Sequence, residues 1–368
     1  MTGTAKFFDL VDRGRKGQNI GLTIGSPKLE MYTDGFLPGT SYLIGAESGV
    51  GKTSYALWAF IYQPLKEFLS GVKQERDPYW IMFSLEMTQP QIYAKLVSMY
   101  IFDTYGITLR FKDMFSRGKD CMLSDENYEI LQQCNEFMEV LDERLIFFEG
   151  TLTPQIFEDK INEVMPRFGS FVGETFVPNN PSQIVGLFID HLSLIPGKKE
   201  AIDAISRATV TIRNVTGIVS PILIAQFNRD NANMERLKGG LQEPTKNDFK
   251  DSGGPYEDSS VCLALFSPHS HKLSTYRKYN VKILEQCLIS ITVLKSRFGS
   301  SDIVVPFNFF GDITHYVEMP KADEIYDYEK YTNPNYLLES SNKLEDNPIK
   351  IDDNISVDTT NSNFNYVL

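Results

Sequence analysis

The sequence predicts an α/β protein in which a mostly parallel central sheet carries helices on both faces. Three observations predict it. Short apolar runs alternate with helix-spaced segments over residues 42–226, the pattern of strand and crossover helix. A small-residue turn separates the first run from the first helix. Three runs are followed at once by, or close on, a carboxylate or amide, namely Glu86, Asp190 and Gln226, and ligands in such sheets gather at the carboxyl ends of strands.

Composition bounds the rest. With 368 residues, 42% hydrophobic and 23% charged, the chain is expected to be soluble and globular. No apolar run reaches ~18 residues, and the opening MTGTAKFFDLVDRGRKG lacks the apolar core of a signal peptide, so a cytoplasmic protein without a membrane span is expected. Cys121, Cys134, Cys262 and Cys287 have neither zinc-type spacing nor the density of a secreted framework, which favours reduced thiols. His269-x-His271 lacks neighbouring ligands for a metal. The net charge is −12, and ten Asp/Glu against four Lys after Met319 account for −6 of it. Charges farther apart than ~8–10 Å are screened. An acidic exterior therefore neither supports nor excludes a basic channel for DNA.

In chain order, residues 1–20 hold one short helix, about Ala5 to Arg15, with Phe7, Phe8, Leu10 and Val11 available to bury. This is an arm rather than a domain. Residues 21–39 alternate turn residues with single apolar anchors. Tyr42-Leu43-Ile44 is the first strand, followed by a helix from Thr53 to about Ser70. Pro78 to Ser84 is a strand, and Gln91 to about Phe102 a helix. Leu123 to Glu143 has helical spacing, Leu145 to Phe148 is a strand, and Thr153 caps a helix anchored by Phe157, Ile161 and Val164. Residues 170–182 read as loop. Ile184 to Asp190 is a nearly continuous apolar strand, Ala201 to Val215 a helix, and Pro221 to Ala225 a strand closed by Gln226. Residues 228–255 read as mobile loop. Strands at Val261 to Phe266, Cys287 to Leu294 and Ile303 to Phe310 complete a core domain spanning 21–319. Residues 320–368 read as an acidic, flexible tail, whose terminal FNYVL is a candidate docking peptide.

The chemistry begins at Ala46-Glu47-Ser48-Gly49-Val50-Gly51-Lys52-Thr53-Ser54. Between a strand and a helix this is a phosphate-binding P-loop. Its backbone N–H groups and the helix N-terminus face phosphate oxygens. Lys52 would bridge the outer phosphates and Thr53 would hold Mg²⁺, with ATP as the nucleotide. Asp190 is the candidate second ligand to Mg²⁺, or an ordinary strand-capping Asp. Glu86 is the candidate to poise the attacking water, or a surface carboxylate. Gln226 is placed to sense the γ-phosphate. Lys295 and Arg297, two residues apart, point to one side as solvated turn charges or as a functional pair. No arginine lies near the P-loop in sequence, so one reaching in from another subunit is an attractive source of transition-state charge.

With these residues placed, the chain resembles the RecA-like motor domain of DnaB-type, ring-forming replicative helicases, particularly those of phages. The resemblance runs as an ordered series over roughly Thr4 to Phe310: GLTIGSPKLEMYTDGFLPG before the P-loop, then FSLEM, SRGK and LSDENY, LFIDHLSLI, ILIAQFNRD, NDFKDSGGPYEDSSVCLALF and LKSRFG. It implies an ATP-driven DNA helicase moving 5′ to 3′ on single-stranded DNA, in the host cytoplasm for a phage-encoded chain. Glu86 would be the catalytic base, Asp190 the Walker B carboxylate, and Gln226 the link from nucleotide state to the DNA loops. Lys295 and Arg297 would enter the neighbouring protomer's site in a hexamer. Lys250, Asp251 and Gly253 would track DNA phosphates. A primase, loader or other replisome protein is an implied partner. A RecA-like ATPase acting as mediator, loader or switch without unwinding is the alternative that shares these residues. The chain departs from the family at His191, where Tyr is common, and at Lys250, where Arg is. The family's N-terminal helical collar is expected to be missing, leaving only the short arm.

Overall fold

The computed structural model describes residues 3–17, 19–72, 76–227 and 243–336, apart from the side chains of residues 6, 9, 198 and 250–252. Thirteen strands are described in chain order: β1 Tyr42–Ala46, β2 Asp77–Ser84, β3 Leu145–Glu149, β4 Gly169–Val172, β5 Thr175–Pro178, β6 Gln183–Asp190, β7 Val219–Gln226, β8 Val261–Phe266, β9 Thr275–Tyr276, β10 Tyr279–Asn280, β11 Leu288–Ser296, β12 Ile303–Phe310 and β13 His315–Glu318. Nine form one sheet in the order β13-β12-β11-β8-β1-β7-β6-β2-β3. The six from β8 to β3 are parallel, and β11, β12 and β13 extend the β8 edge antiparallel. The expected mostly parallel α/β sheet is therefore present, and β13 is a strand that sequence reasoning did not foresee.

The parallel strands are apolar on both faces because helices cover both. One face packs on the helical run after the P-loop and on Gln89–Tyr105, and the other on Pro154–Val164 and Lys198–Thr216. The run after the P-loop is α from Lys52 to Leu57, widens to a π turn over Trp58–Tyr62, and resumes as α from Gln63 to Leu69. Pro64 explains the widening. It has no N–H to donate to the Phe60 carbonyl, and its ring crowds that oxygen. The Trp80 indole N–H from β2 donates to it instead, at 2.7 Å.

Several expectations need correcting. Residues 170–182 contain the β4–β5 hairpin, turned at Gly173 with φ +63°; its strands are too short and too broken by Gly and Pro to stand out. Residues 21–39 contain a helix, Pro27–Thr33, capped by the Ser26 side chain on Leu29 N–H. The helical stretch from 123 to 143 is two helices, Asp125–Gln133 and Asn135–Arg144, meeting at Cys134. Of the expected mobile loop, 228–242 lies outside the described residues, whereas Lys246–Ser252 is a 3₁₀ helix and Gly253–Asp258 an α-helix. The chain also stays on the domain beyond Met319: Ile325 is buried, Tyr328 and Tyr331 pack against the Phe266, Leu284 and Leu288 cluster, and the Tyr331 carbonyl accepts from Asn308 at 2.7 Å. Residues 337–368, with the terminal FNYVL, lie outside the described residues.

Candidate nucleotide site

The P-loop leaves the end of β1 through two left-handed glycines, Gly49 at φ +81° and Gly51 at φ +96°, a backbone that side-chain-bearing residues adopt only under strain. A Cβ on Gly51 would also lie 2.8 Å from the Tyr316 hydroxyl. That hydroxyl donates to the Gly51 carbonyl at 3.0 Å, and the Tyr316 ring stacks on Phe309 at 4.3 Å. Strand β13 thus buttresses the turn into the helix that begins at Lys52, itself a mostly buried lysine.

Strand register brings the predicted carboxylates to the same place. Ser84 at the end of β2 pairs with Asp190 at the end of β6, and Leu85 N–H donates to the Asp190 carbonyl at 2.8 Å. Glu86 therefore follows directly beside Asp190. On the other flank Gln226 pairs with Ala46. The Thr53 hydroxyl donates to Asp190 Oδ1 at 3.0 Å, while Asp190 Oδ2 is buried without a hydrogen-bond partner. Burial pushes the Asp190 carboxyl up to about 6, with Glu86 adding to the rise and Thr53, Lys52 and Lys95 opposing it. His191 sits with Nδ1 2.7 Å from Ser193 Oγ and Nε2 3.5 Å from Glu86 Oε2. Burial, and then Lys52, hold its pKa below the usual imidazole value. The neutral ring favoured there can steer the exposed Glu86 carboxylate.

Two residues at this end escaped the sequence reading. Lys95, on the helix after Glu86, reaches Ser54 Oγ at 3.2 Å, and burial depresses its pKa. A single cation inside the apolar run Ile92 to Phe102 was the available signal. His271, dismissed as a metal ligand, has Nε2 3.2 Å from Oε2 of the P-loop residue Glu47.

The structure does not bring Lys295 and Arg297 to this site. Ser296 pairs with Val261 at the start of β8, and Arg297 N–H donates to the Ser260 carbonyl at 3.0 Å. Ser260 N–H in turn bonds the Ser41 carbonyl, just before β1. At ~3.3 Å per strand residue this is about 16 Å below Ala46. Gly253 opens the helix that ends near the same level, while the side chains of Lys250 and Asp251 lie outside the described residues.

The DnaB-like helicase C-terminal domain family matches residues 21–318. The chain belongs to that family. Among curated relatives, it is 25% identical to the replicative DNA helicase DnaB of Helicobacter pylori strain J99, over 84% of this chain and 63% of that protein. It is 27% identical to the DnaB of Helicobacter pylori strain 26695 over 72% and 48%, and 23% identical to that of Mycoplasma genitalium over 86% and 61%. The chain thus spans about half to three fifths of the relatives' length. Among solved structures it is similar to an ATPase domain determined as a separate chain (TM-score 0.60, 17% identity, 87% of this chain and 100% of that one). It is also similar to a DnaB-like replicative helicase described with its interactions with primase (TM-score 0.58, 18% identity, 82% and 64%). These likenesses identify the fold as a RecA-like P-loop core. No helix among the described residues is long and apolar enough to cross a membrane.

Proposed function

We propose that this chain is the motor of an ATP-dependent, ring-forming DNA helicase that moves 5′ to 3′ along single-stranded DNA in replication. The observation that carries the reading is the division of the catalytic set between the two ends of the sheet. Lys52, Thr53, Glu86 and Asp190 gather at one end. Arg297 is exposed at the other, with no carboxylate within ion-pair distance among the described residues. A chain built this way hydrolyses ATP only when a second copy lends its arginine, and head-to-tail contacts of that kind close into rings. The ring is a hexamer by family analogy.

The site also fits Mg²⁺. The orphaned Asp190 Oδ2 offers a buried carboxylate oxygen beside the Thr53 hydroxyl. Among the described residues no three His, Cys, Asp or Glu side chains gather to hold a metal alone, as expected where phosphate oxygens and water complete the shell. When bound, Mg²⁺ neutralises charge on the outer phosphates. Lys52 holds those phosphates against the helix N-terminus, Glu86 accepts the proton of the attacking water, and Arg297 of the neighbouring copy stabilises the charge that builds as the γ-phosphoryl leaves. Gln226, next to Ala46 in the sheet, passes the change to the segment carrying Lys250, Asp251 and Gly253, which follows DNA phosphates without reading sequence. A primase, loader or other replisome protein is the remaining partner.

Strand displacement on a forked DNA with a 5′ tail tests the reading. Unwinding is expected with ATP and absent with a non-hydrolysable analogue. DNA-stimulated hydrolysis without any duplex opening would transfer support to a loader or mediator role.

A further inference from the structure

Lys295 is engaged within its own chain. Its Nζ donates to the carbonyls of Tyr256 at 2.7 Å and Glu257 at 2.9 Å, and stands 5.2 Å from the centre of the Tyr256 ring. The hydroxyl of the same tyrosine lies 3.4 Å from the Leu294 carbonyl. Both ends of Tyr256 therefore brace the strand end that presents Lys295 and Arg297. On its inner side the Tyr256 ring packs on Phe249, centroids 5.7 Å apart, and Phe249 meets Phe227 edge-on at 4.9 Å.

Phe227 and Phe249 converge on Gly45. A Cβ there would collide with both rings, so only glycine allows the two of them to reach the strand. Phe227 N–H donates to the Ala46 carbonyl at 2.9 Å, which ties this ring to the first residue of the P-loop. The row Gly45, Phe227, Phe249, Tyr256, Lys295 is thus unbroken. It begins beside the nucleotide site, passes Phe249 immediately before Lys250, and ends at the pair exposed to a neighbour. Interiors packed at this density transmit a displacement rather than absorb it.

We propose that Phe249 and Tyr256 are positioning residues that tie the state of a chain's own nucleotide site to the stance of the Lys295–Arg297 pair it offers its neighbour. The inference rests on the trans-acting pair of the proposed function. Tyr256 carries the more informative half of it, because its ring is only partly buried and its removal leaves the apolar core in place.

The test uses the full chain, with DNA-stimulated ATPase as readout and nucleotide binding and melting temperature as controls. Tyr256→Leu is expected to lower kcat at least tenfold while KM for ATP stays within twofold, and Tyr256→Phe to restore kcat to within twofold. Mixing Tyr256→Leu with a Glu86→Gln chain should recover turnover, because the first chain keeps its own P-loop and the second lends an intact pair. A defect confined to the variant's own site would not recover. Phe249→Leu, which preserves buried bulk, should show the same split and serves if Tyr256→Leu misfolds. Wild-type kcat in both variants, or no recovery on mixing, overturns the relay. Arg297→Ala mixed with Glu86→Gln runs alongside: recovery there together with undisturbed Tyr256 and Phe249 variants removes the relay alone, whereas no recovery removes the trans-acting pair and the relay with it.

Discussion

The two ends of the sheet differ in what they lack. At the carboxyl end of the parallel strands, Thr53, Glu86 and Asp190 supply oxygen ligands, and Lys52 and Lys95 are the cations that act on Asp190; no arginine is among these groups. The opposite end holds a surplus of positive charge. Arg213 and Lys295 both have pKa values pushed down, by burial first and then by Arg297. Arg213 spends its hydrogen bonds on Ser41 Oγ at 2.7 Å and on the Asp258 carbonyl, and Lys295 spends its own on backbone carbonyls, which leaves Arg297 as the outermost group. Each end is chemically incomplete and the two are complementary, which is the physical sense of a site shared between copies.

Removing either half should therefore have different signatures. Arg297→Ala is expected to lower ATP turnover by ~10³-fold or more, with nucleotide affinity measured by fluorescent analogue nearly unchanged; strong loss of binding would place Arg297 at its own P-loop. Glu86→Gln should cost ~10²–10⁴-fold in kcat and also retain binding, and unchanged turnover would shift the base to another group.

The third contrast concerns stability. Behind the nucleotide end, Asp103 accepts from Tyr62 at 2.8 Å and Lys66 at 2.6 Å, and lies 3.0 Å from His315 Nε2, at the base of the strand that carries Tyr316 to Gly51. Burial alone would raise the Asp103 pKa, but His315 and then Lys66 outweigh it and hold the carboxyl well below its usual range. A depressed carboxylate stabilises the fold above its unfolded pKa of ~3.9 and loses that contribution as pH falls through the folded value. Asp103→Asn should cost about 2–3 kcal/mol at pH 7, less than the ~3–5 kcal/mol of a fully buried pair because Lys66 is partly solvated. The deficit should shrink between pH 4 and pH 2 in urea unfolding, and a constant deficit would deny the ion pair its role. The smallest effect serves as a control. The Thr153 side chain caps the helix Pro154–Val164 by accepting from Ile156 N–H, so Thr153→Ala should cost ~1 kcal/mol and leave turnover at both ends untouched.

What the sequence revealed follows from locality. The P-loop, the apolar strand ending in Asp190 and the strand ending just before Glu86 are each written in a few consecutive residues, and the alternation of strand and helix fixes a parallel sheet. The contacts that finish the site are not local. Tyr316 reaches Gly51 across 265 positions, and Lys95 reaches Ser54 across 41; neither leaves a periodic trace. The β4–β5 hairpin and the segment after Met319 were missed for another reason. Their anchors, such as Phe176, Ile325 and Tyr331, are single aromatic or aliphatic residues among polar neighbours, and pattern reading discounts isolated anchors. The division of the site, by contrast, was anticipated from KSRFG only through family resemblance; the antiparallel turn at β11 gives it a physical basis.

The central claim, that one site is built from two copies, is tested most directly by titrating Arg297→Ala against Glu86→Gln and measuring ATP turnover. Neither variant alone should turn over appreciably. An equimolar mixture should recover about a quarter of wild-type activity, the share of junctions in a randomly assembled head-to-tail ring that join an intact P-loop to an intact arginine. Activity that stays at the level of the two variants alone would contradict the account.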